Sequence, residues 1–147
     1  MLIRETKSAE EIKTVLCHPE IYDRISDDYS ITVEEFEPPM DAEYIAGYVG
    51  NDIIGLMIYH INDGKLECHF QVLPEFRQYS KEFARMALEI GKAKNASIYA
   101  EIPDCYPEVI KFTTNFGFNI VGNIVDGHQK NGQSCDVKIL RFDNGIL

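Results

Sequence analysis

The stretch VLPEFRQYSKEF, residues 72–83, is the junction that decides the fold. The residues before it, 65–73, alternate between polar and apolar side chains as a strand does, and Pro74 ends that strand. After Ser80 the apolar residues recur at helical spacing, which predicts a helix over residues 80–95. A strand that passes into a helix is a common anion site, because the first amides of the helix point at the ligand. This junction lacks glycine, so it is either a working phosphate turn or the remnant of one.

Upstream of the junction, the sequence predicts a strand, a helix, an irregular acidic segment and a meander. Residues 1–7 are typical of a strand, and Ser8 begins the capping box of a helix that Pro19 ends or interrupts. The irregular residues 20–43 hold nine acidic side chains against one basic side chain, Arg24. Short turns at 50–52 and 62–64 separate three β-rich runs, which predicts antiparallel strands at residues 44–49, 53–61 and 65–73.

Downstream of the junction, the sequence predicts a strand, a helix and two more strands. Pro103 ends a strand over residues 96–102, and Pro107 fits the first turn of a helix that reaches about residue 116. The last two strands, residues 118–125 and 135–142, are joined by a polar loop at 126–134. This order predicts an α/β (α+β) fold in one domain, residues 1–147. The expected central sheet is mixed, mostly antiparallel and flanked by helices.

The bulk composition excludes several classes of protein. The 147 residues carry 14 basic and 24 acidic side chains, a net charge of −10, whereas nucleic-acid binding needs a basic face. The chain has no apolar run of about 18 residues and opens with no signal peptide, so neither a membrane span nor secretion is predicted. The four cysteines form no Cys-x-x-Cys pair, which favours a cytoplasmic protein with free thiols.

Two short motifs lie along this order of elements. Residues 72–77, VLPEFR, are similar to V-x-P-E-x-R, and residues 112–118, FTTNFGF, are similar to F-Y-x-x-x-G-F. These are patterns of the fourth strand and fourth helix of the GNAT superfamily of N-acetyltransferases, which the chain therefore resembles. The order of elements is similar to that of the family over nearly the whole chain. The similarity in sequence is confined to these two patches. It implies transfer of an acetyl group from acetyl-CoA to an amine.

The resemblance assigns the junction to acyl-CoA. In the family this turn reads Q/R-x-x-G-x-G/A, and its amides bind the pyrophosphate. Ser80 and Glu82 stand where small residues are usual. Ser80 is expected to cap the helix through its hydroxyl, whereas Glu82 brings a negative charge close to the phosphate. The implied cofactor-binding residues are Gln71, Val72 and Leu73 for the pantetheine, and Arg77, Gln78, Tyr79, Ser80 and Lys81 for the pyrophosphate.

One face of the strand at 65–73 carries the candidate catalytic side chains. Glu67, His69 and Gln71 share this face, because successive side chains of a strand alternate. The resemblance implies that a carboxylate or histidine here deprotonates the acceptor amine, so Glu67 and His69 are the candidates. The ordinary pKa of histidine, near 6.5, suits that role. No metal site is predicted, because Cys68 and His69 point to opposite faces and have no evident spaced partners.

The family's catalytic acid and acceptor cleft also map onto this sequence. Thr113 replaces the tyrosine that protonates the CoA thiolate in many members, and Tyr106 lies about two turns earlier. The acidic residues 20–43 stand where the acceptor side of the cleft is expected. Their charge would attract an amine on a small molecule or on a protein. The same composition is typical of a solvated loop.

Two functions remain open. The first is an acyl-CoA-dependent N-acetyltransferase with a degenerate cofactor motif, favoured by the intact strand end, Arg77 and the Glu67/His69 face. The second is a non-catalytic GNAT-fold protein that binds another macromolecule, favoured by Glu82 and Thr113. Small phage proteins carry eroded motifs of this kind, so a bacteriophage structural or accessory protein is one form of the second hypothesis. A homodimer is compatible with the sequence, which does not indicate an oligomeric state.

Overall fold

The fold is a seven-stranded sheet flanked by helices, as the sequence predicts. The computed structural model describes residues 1–95 and 97–143. Short 3-10 helices lie at Val33–Glu35 and Pro74–Tyr79. None of the helices in these residues is long and apolar enough to cross a membrane. In chain order the elements are β1 (Leu2–Thr6), α1 (Ala9–Leu16), α2 (Pro19–Ile25), β2 (Glu43–Val49), β3 (Asp52–Asn62), β4 (Lys65–Val72), α3 (Ser80–Lys94), β5 (Ser97–Pro103), α4 (Pro107–Asn115), β6 (Asn119–Lys130) and β7 (Gln133–Asp143).

The strands follow the order β1-β2-β3-β4-β5-β7-β6 across the sheet. Within the described residues the neighbouring strands pair antiparallel, except for β4 and β5, which are parallel. A parallel pair needs a long crossover, and here α3 supplies it. The carboxyl ends of β4 and β5 consequently lie at the same edge of the sheet, next to the start of α3.

The position of α3 is fixed by close packing against the sheet. Its Phe83 is fully buried against Gly47 and Gly55, which are opposite each other on β2 and β3. A Cβ atom at Gly47 would lie 3.0 Å from the Phe83 ring. One at Gly55 would clash with the Gln71 carbonyl oxygen and lie 3.1 Å from the ring, so the two glycines make room for the ring and for the backbone of β4. On the opposite face of the sheet, α1 buries Ile12, Val15 and Leu16. These two layers hold the carboxyl end of β4 in place.

Two sequence-based expectations about local structure are wrong. The polar residues 126–134 are not a loop, because β6 and β7 continue through them to a tight turn at Asn131-Gly132. The φ angles there, 55° and 76°, are those of a two-residue hairpin turn. Residues 20–43 are not irregular throughout, because α2 occupies Pro19–Ile25 and a proline fits its first turn, which needs no N–H; Pro19 does separate α2 from α1, as predicted. Residue 96, predicted to begin β5, lies outside the described residues.

The tip of the β6–β7 hairpin is tied to the segment that follows α2. The Asp28 carboxylate accepts the N–H groups of Asn131 and Gly132, each at 2.8 Å. The Asp28 N–H in turn donates to the carbonyl of Gln129 at 2.9 Å. Lys130 Nζ donates to the carbonyl of Ser26 at 3.1 Å. The two backbone donors are the largest reason that the pKa of Asp28 lies below its ordinary value.

We expect Asp28→Ala to lower the melting temperature at neutral pH and to have a smaller effect in acid. Because folding lowers the pKa of Asp28, its stabilisation is present above the ordinary value of 3.8 and is lost as the pH falls through the folded-state value. Thermal unfolding of the variant and the parent chain at about pH 7 and about pH 3 measures this. Asp41→Ala, at an exposed position, is the control and should match the parent. Equal melting temperatures at neutral pH would contradict the role of Asp28.

Candidate active site

The sheet opens between β4 and β5. Among the described residues these strands pair at one position, Glu67 opposite Tyr99. Both strands nevertheless continue, β4 to Val72 and β5 to Pro103. They therefore diverge toward their carboxyl ends and leave a wedge-shaped gap in the sheet.

The backbone of β4 faces this gap at alternate residues. The Leu73 N–H donates to the Ile54 carbonyl at 2.8 Å, and the same register places Gln71 opposite Leu56. In an antiparallel ladder, the residues between bonded pairs turn their N–H and C=O groups away from that partner strand. Phe70 and Val72 are such residues, so their backbone groups face β5 across the gap. Gln71 and Leu73 direct theirs to β3.

A cavity of about 400 Å³ occupies the gap. Side chains from both faces of the sheet line the cavity. Consecutive residues of β4 contribute to it, and consecutive side chains of a strand point to opposite faces. The α3 face contributes Cys68, Phe70 and Ala84, and the opposite face contributes His69, Gln71 and Glu101. The cavity is therefore a channel through the sheet. Phe112 of α4 forms part of its wall and stacks on Phe70, with ring centroids 5.9 Å apart and planes 11° apart.

Three titratable side chains meet on the face opposite α3. The Nε2 atoms of His60 and His69 lie 2.9 Å apart, and Glu67 has a carboxylate oxygen within 4.8 Å of both imidazoles. Glu67 is buried, and its Oε2 accepts a hydrogen bond from Asn62 at 2.8 Å. Desolvation lowers the pKa of His69, and the neighbouring His60 lowers it further. The predicted catalytic residues Glu67 and His69 are thus adjacent, and His60 joins them without having been predicted.

Several solved structures of similar shape are described as N-acetyltransferases. The chain matches the spermidine N-acetyltransferase of Vibrio cholerae, in complex with CoA and spermine, at a TM-score of 0.79 and 17% identity, over 97% of this chain and 95% of that one. A putative acetyltransferase of Salmonella typhimurium with acetyl-CoA gives 0.76 and 14%, over 100% and 95%. A ribosomal-protein-alanine N-acetyltransferase of Brucella melitensis gives 0.71 and 16%, over 97% and 99%. The chain has the GNAT fold.

At these identities the likeness concerns the fold. No protein-family model matches the sequence, and no curated protein matches it. The three neighbours come from bacteria, so they lend no support to a bacteriophage origin.

The junction at which a GNAT fold is expected to hold pyrophosphate differs from the sequence-based expectation. Ser80 does not cap α3, because it is already helical, with φ −57° and ψ −44°. The preceding 3-10 helix passes directly into α3, with a kink at Phe76, and the Ser80 N–H bonds to the Arg77 carbonyl. The Ser80 N–H, one of the backbone groups expected to bind the pyrophosphate, therefore already has a hydrogen-bond partner within the chain.

The side chains of the junction remain accessible. Arg77, Gln78, Lys81 and Glu82 are exposed, and Tyr79 is half-buried. Arg77 lies 3.9 Å from the Glu20 carboxylate of α2, which offsets part of its charge. The structure therefore leaves Arg77, Gln78 and Lys81 able to reach an anion, and it puts Glu82 on the same first turn of α3.

Three further side chains that line the channel bear on proton transfer. The Thr113 hydroxyl donates to the Val109 carbonyl at 2.8 Å, so its proton is already engaged. Tyr106 and His128 also line the channel, with ring centroids 6.3 Å apart. His128 is buried, and within the described residues its Nε2 has no hydrogen-bond partner. Sequence reasoning missed His128 because it lies in the segment that was predicted to be a loop.

The acidic residues 20–43 contribute little to the channel. From this range, Arg24 and Ile25 line it among the described residues. The acidic side chain at the channel is Glu101 of β5. Desolvation raises the pKa of Glu101, and the charge of Glu67 raises it further. A negative charge does face the channel, but it comes from β5 rather than from the segment that was expected to supply it.

Proposed function

We propose that the protein is an N-acetyltransferase that takes acetyl-CoA into the channel between β4 and β5. The observation that carries this proposal is the gap at the end of β4, where the backbone groups of Phe70 and Val72 face open space. Backbone N–H and C=O groups that are shielded from water need hydrogen-bond partners. A pantetheine arm carries amides that can pair with them. The likeness in fold to structures that contain CoA and acetyl-CoA supports the same ligand here.

The residues fit acetyl-CoA well at the channel and less well at the junction. Phe70 and Phe112 give the channel an apolar wall for the alkyl parts of the arm. At the pyrophosphate end, Arg77, Gln78, Tyr79, Ser80 and Lys81 are the available groups, with fewer open amides than a glycine turn provides. We therefore expect the channel to supply most of the affinity. The thioester of acetyl-CoA brings an acyl group already activated for transfer to an amine.

His69 is the proposed general base. It lines the channel, and its lowered pKa keeps the imidazole neutral at pH 7, ready to accept a proton from an ammonium acceptor. The carboxylate of Glu67 lies close enough to stabilise the imidazolium that forms. Thr113 is not suited to return a proton to the thiolate, so water or Tyr106 would do so.

The proposed acceptor is a primary amine on a small molecule or on a protein. Glu101 at the channel and the net charge of −10 favour a cationic acceptor. A cytoplasmic location belongs to the same proposal, supported by the four cysteines, which are free thiols.

The proposal is tested by incubating the protein with acetyl-CoA and separate acceptors: a polyamine, an aminoglycoside and a lysine peptide. We expect CoA release, measured as new thiol, together with one added acetyl group on at least one acceptor by mass spectrometry. Acceptor-free and protein-free reactions are the controls. Binding of acetyl-CoA without transfer to any acceptor would favour a non-catalytic GNAT-fold protein.

A further inference from the structure

The cluster of His60, Glu67 and His69 has the composition of a metal site. Two imidazoles and a carboxylate are ligands that suit zinc and neighbouring divalent metals. Their ligand atoms lie within 4.8 Å of one another, on adjacent strands of one hairpin. We propose that these three side chains bind one divalent transition-metal ion, for which Zn²⁺ is the probe. This inference does not depend on the proposed acetyl transfer.

The imidazoles are arranged so that a small movement would admit an ion. The planes of the two rings are nearly parallel, with 6° between them. The ring centroids lie 5.0 Å apart, whereas the two Nε2 atoms are only 2.9 Å apart. The two nitrogens therefore face each other. Zinc bound tetrahedrally at about 2.0–2.1 Å from each nitrogen needs about 3.3 Å between them. A separation of a few tenths of an ångström, together with a turn of the rings that directs both lone pairs at the ion, converts the hydrogen-bonded pair into two ligands.

The carboxylate is already oriented by a neighbour. The side-chain amide of Asn62 donates a hydrogen bond to Oε2 of Glu67 at 2.8 Å. The other carboxylate oxygen remains for an ion. Outer hydrogen bonds of this kind orient metal ligands. Glu67 is buried, and within the described residues no ion pair reaches it. Buried charges are normally paired or bound to metals, so a divalent cation would supply the missing positive charge.

The hairpin gives the site a rigid frame. The turn at Asp63-Gly64, with φ of 54° and 78°, joins β3 to β4 with two residues. It sets Asn62 opposite Lys65 and therefore His60 opposite Glu67, with His69 two residues along the same face. Three ligands on paired strands leave further coordination positions to water, as in zinc sites that are open.

The test titrates metal into the protein in the absence of acetyl-CoA. Other candidate ligands are removed first by replacing the accessible cysteines Cys17, Cys105 and Cys135 with serine, while the buried Cys68 stays. We expect one Zn²⁺ per chain by calorimetry. Co²⁺ in its place should give visible absorption bands without a thiolate charge-transfer band. His60→Ala and His60→Gln should each weaken binding by about 100-fold or more, since even loss of an outer-shell partner costs about 10–100-fold.

The matched control is His18→Asn, which removes an imidazole and keeps an N-cap acceptor for α2. It should bind Zn²⁺ as the parent does. Circular dichroism identifies any variant that fails to fold, and the second His60 variant replaces it. Absence of stoichiometric binding, or equal affinity in both folded His60 variants, would overturn the proposal. If acetyl transfer is established independently, Zn²⁺ should inhibit it, because the ion occupies the lone pair of His69; undiminished turnover at saturating Zn²⁺ would count against the site.

Discussion

His69→Ala is expected to lower kcat for acetyl transfer by about 10²–10⁴-fold, the usual contribution of a positioned general base. His69 lines the channel beside the gap, and His60 is the imidazole that contacts it. Affinity for acetyl-CoA should stay the same, because the proposed contacts with the pantetheine arm are made by backbone groups further along β4 and not by the His69 side chain. The measurement combines steady-state kinetics with acetyl-CoA calorimetry, both with a chelator present to keep any metal out.

The pH profile separates a base from a structural residue. Because the pKa of His69 lies below its ordinary 6.5, the parent should keep its activity at pH 7 and lose it only at lower pH, as the imidazole gains a proton. That acid limb should disappear in His69→Ala, and Glu67→Gln should cause a smaller loss of kcat. His18→Asn is the control and should leave kcat unchanged. An unaltered kcat and profile in His69→Ala would remove His69 from the mechanism.

Ala100→Phe is expected to abolish acetyl-CoA binding by filling the channel. Ala100 lies on β5, lines the cavity and is 7% exposed, one residue beyond the position where β5 still pairs with β4. An added ring there would occupy the gap. In the parent, acetyl-CoA at 100 times its Kd should stabilise the fold by about 2.7 kcal/mol, and this gain should vanish in the variant. Thermal unfolding with and without ligand measures the difference.

The control for Ala100→Phe is Ala93→Phe, which adds the same ring at an exposed position of α3. It should bind acetyl-CoA as the parent does. Overpacking can itself cost about 1–3 kcal/mol, so each variant is compared with its own ligand-free form. Retention of the full ligand-dependent gain in folded Ala100→Phe would show that acetyl-CoA does not use the channel.

Much of the fold could be predicted because its signals are local. Alternation along residues 65–73, the break at Pro74 and the helical spacing after Ser80 specify the strand–helix junction without any tertiary information. The continuation of β6 and β7 through residues 126–134 was missed because these residues are polar on both faces, as a solvent-exposed end of a hairpin tolerates. The Asn131-Gly132 pair was the available signal, since Asn-Gly favours the two-residue hairpin turn.

Only part of the candidate site could be predicted from the sequence, because the site depends on the register between strands and on the divergence of β4 from β5. The Asp63-Gly64 turn could have placed His60 opposite Glu67, had it been interpreted as a two-residue hairpin turn that fixes the register. The gap itself has no such local signal, since parallel strands are positioned by α3 and the packing around it. Ser80 was assigned a capping role that requires extended backbone, but the 3-10 helix before it imposes a helical conformation.

The proposed binding of acetyl-CoA depends on the gap between β4 and β5 as the site for the pantetheine arm. Its most direct test is thermal unfolding of the parent chain with millimolar acetyl-CoA, compared with the 3′-phosphoadenosine diphosphate fragment, which lacks that arm. We predict a rise in melting temperature of several degrees with acetyl-CoA and a much smaller one with the fragment. No rise with acetyl-CoA, or equal rises with both ligands, would contradict the account.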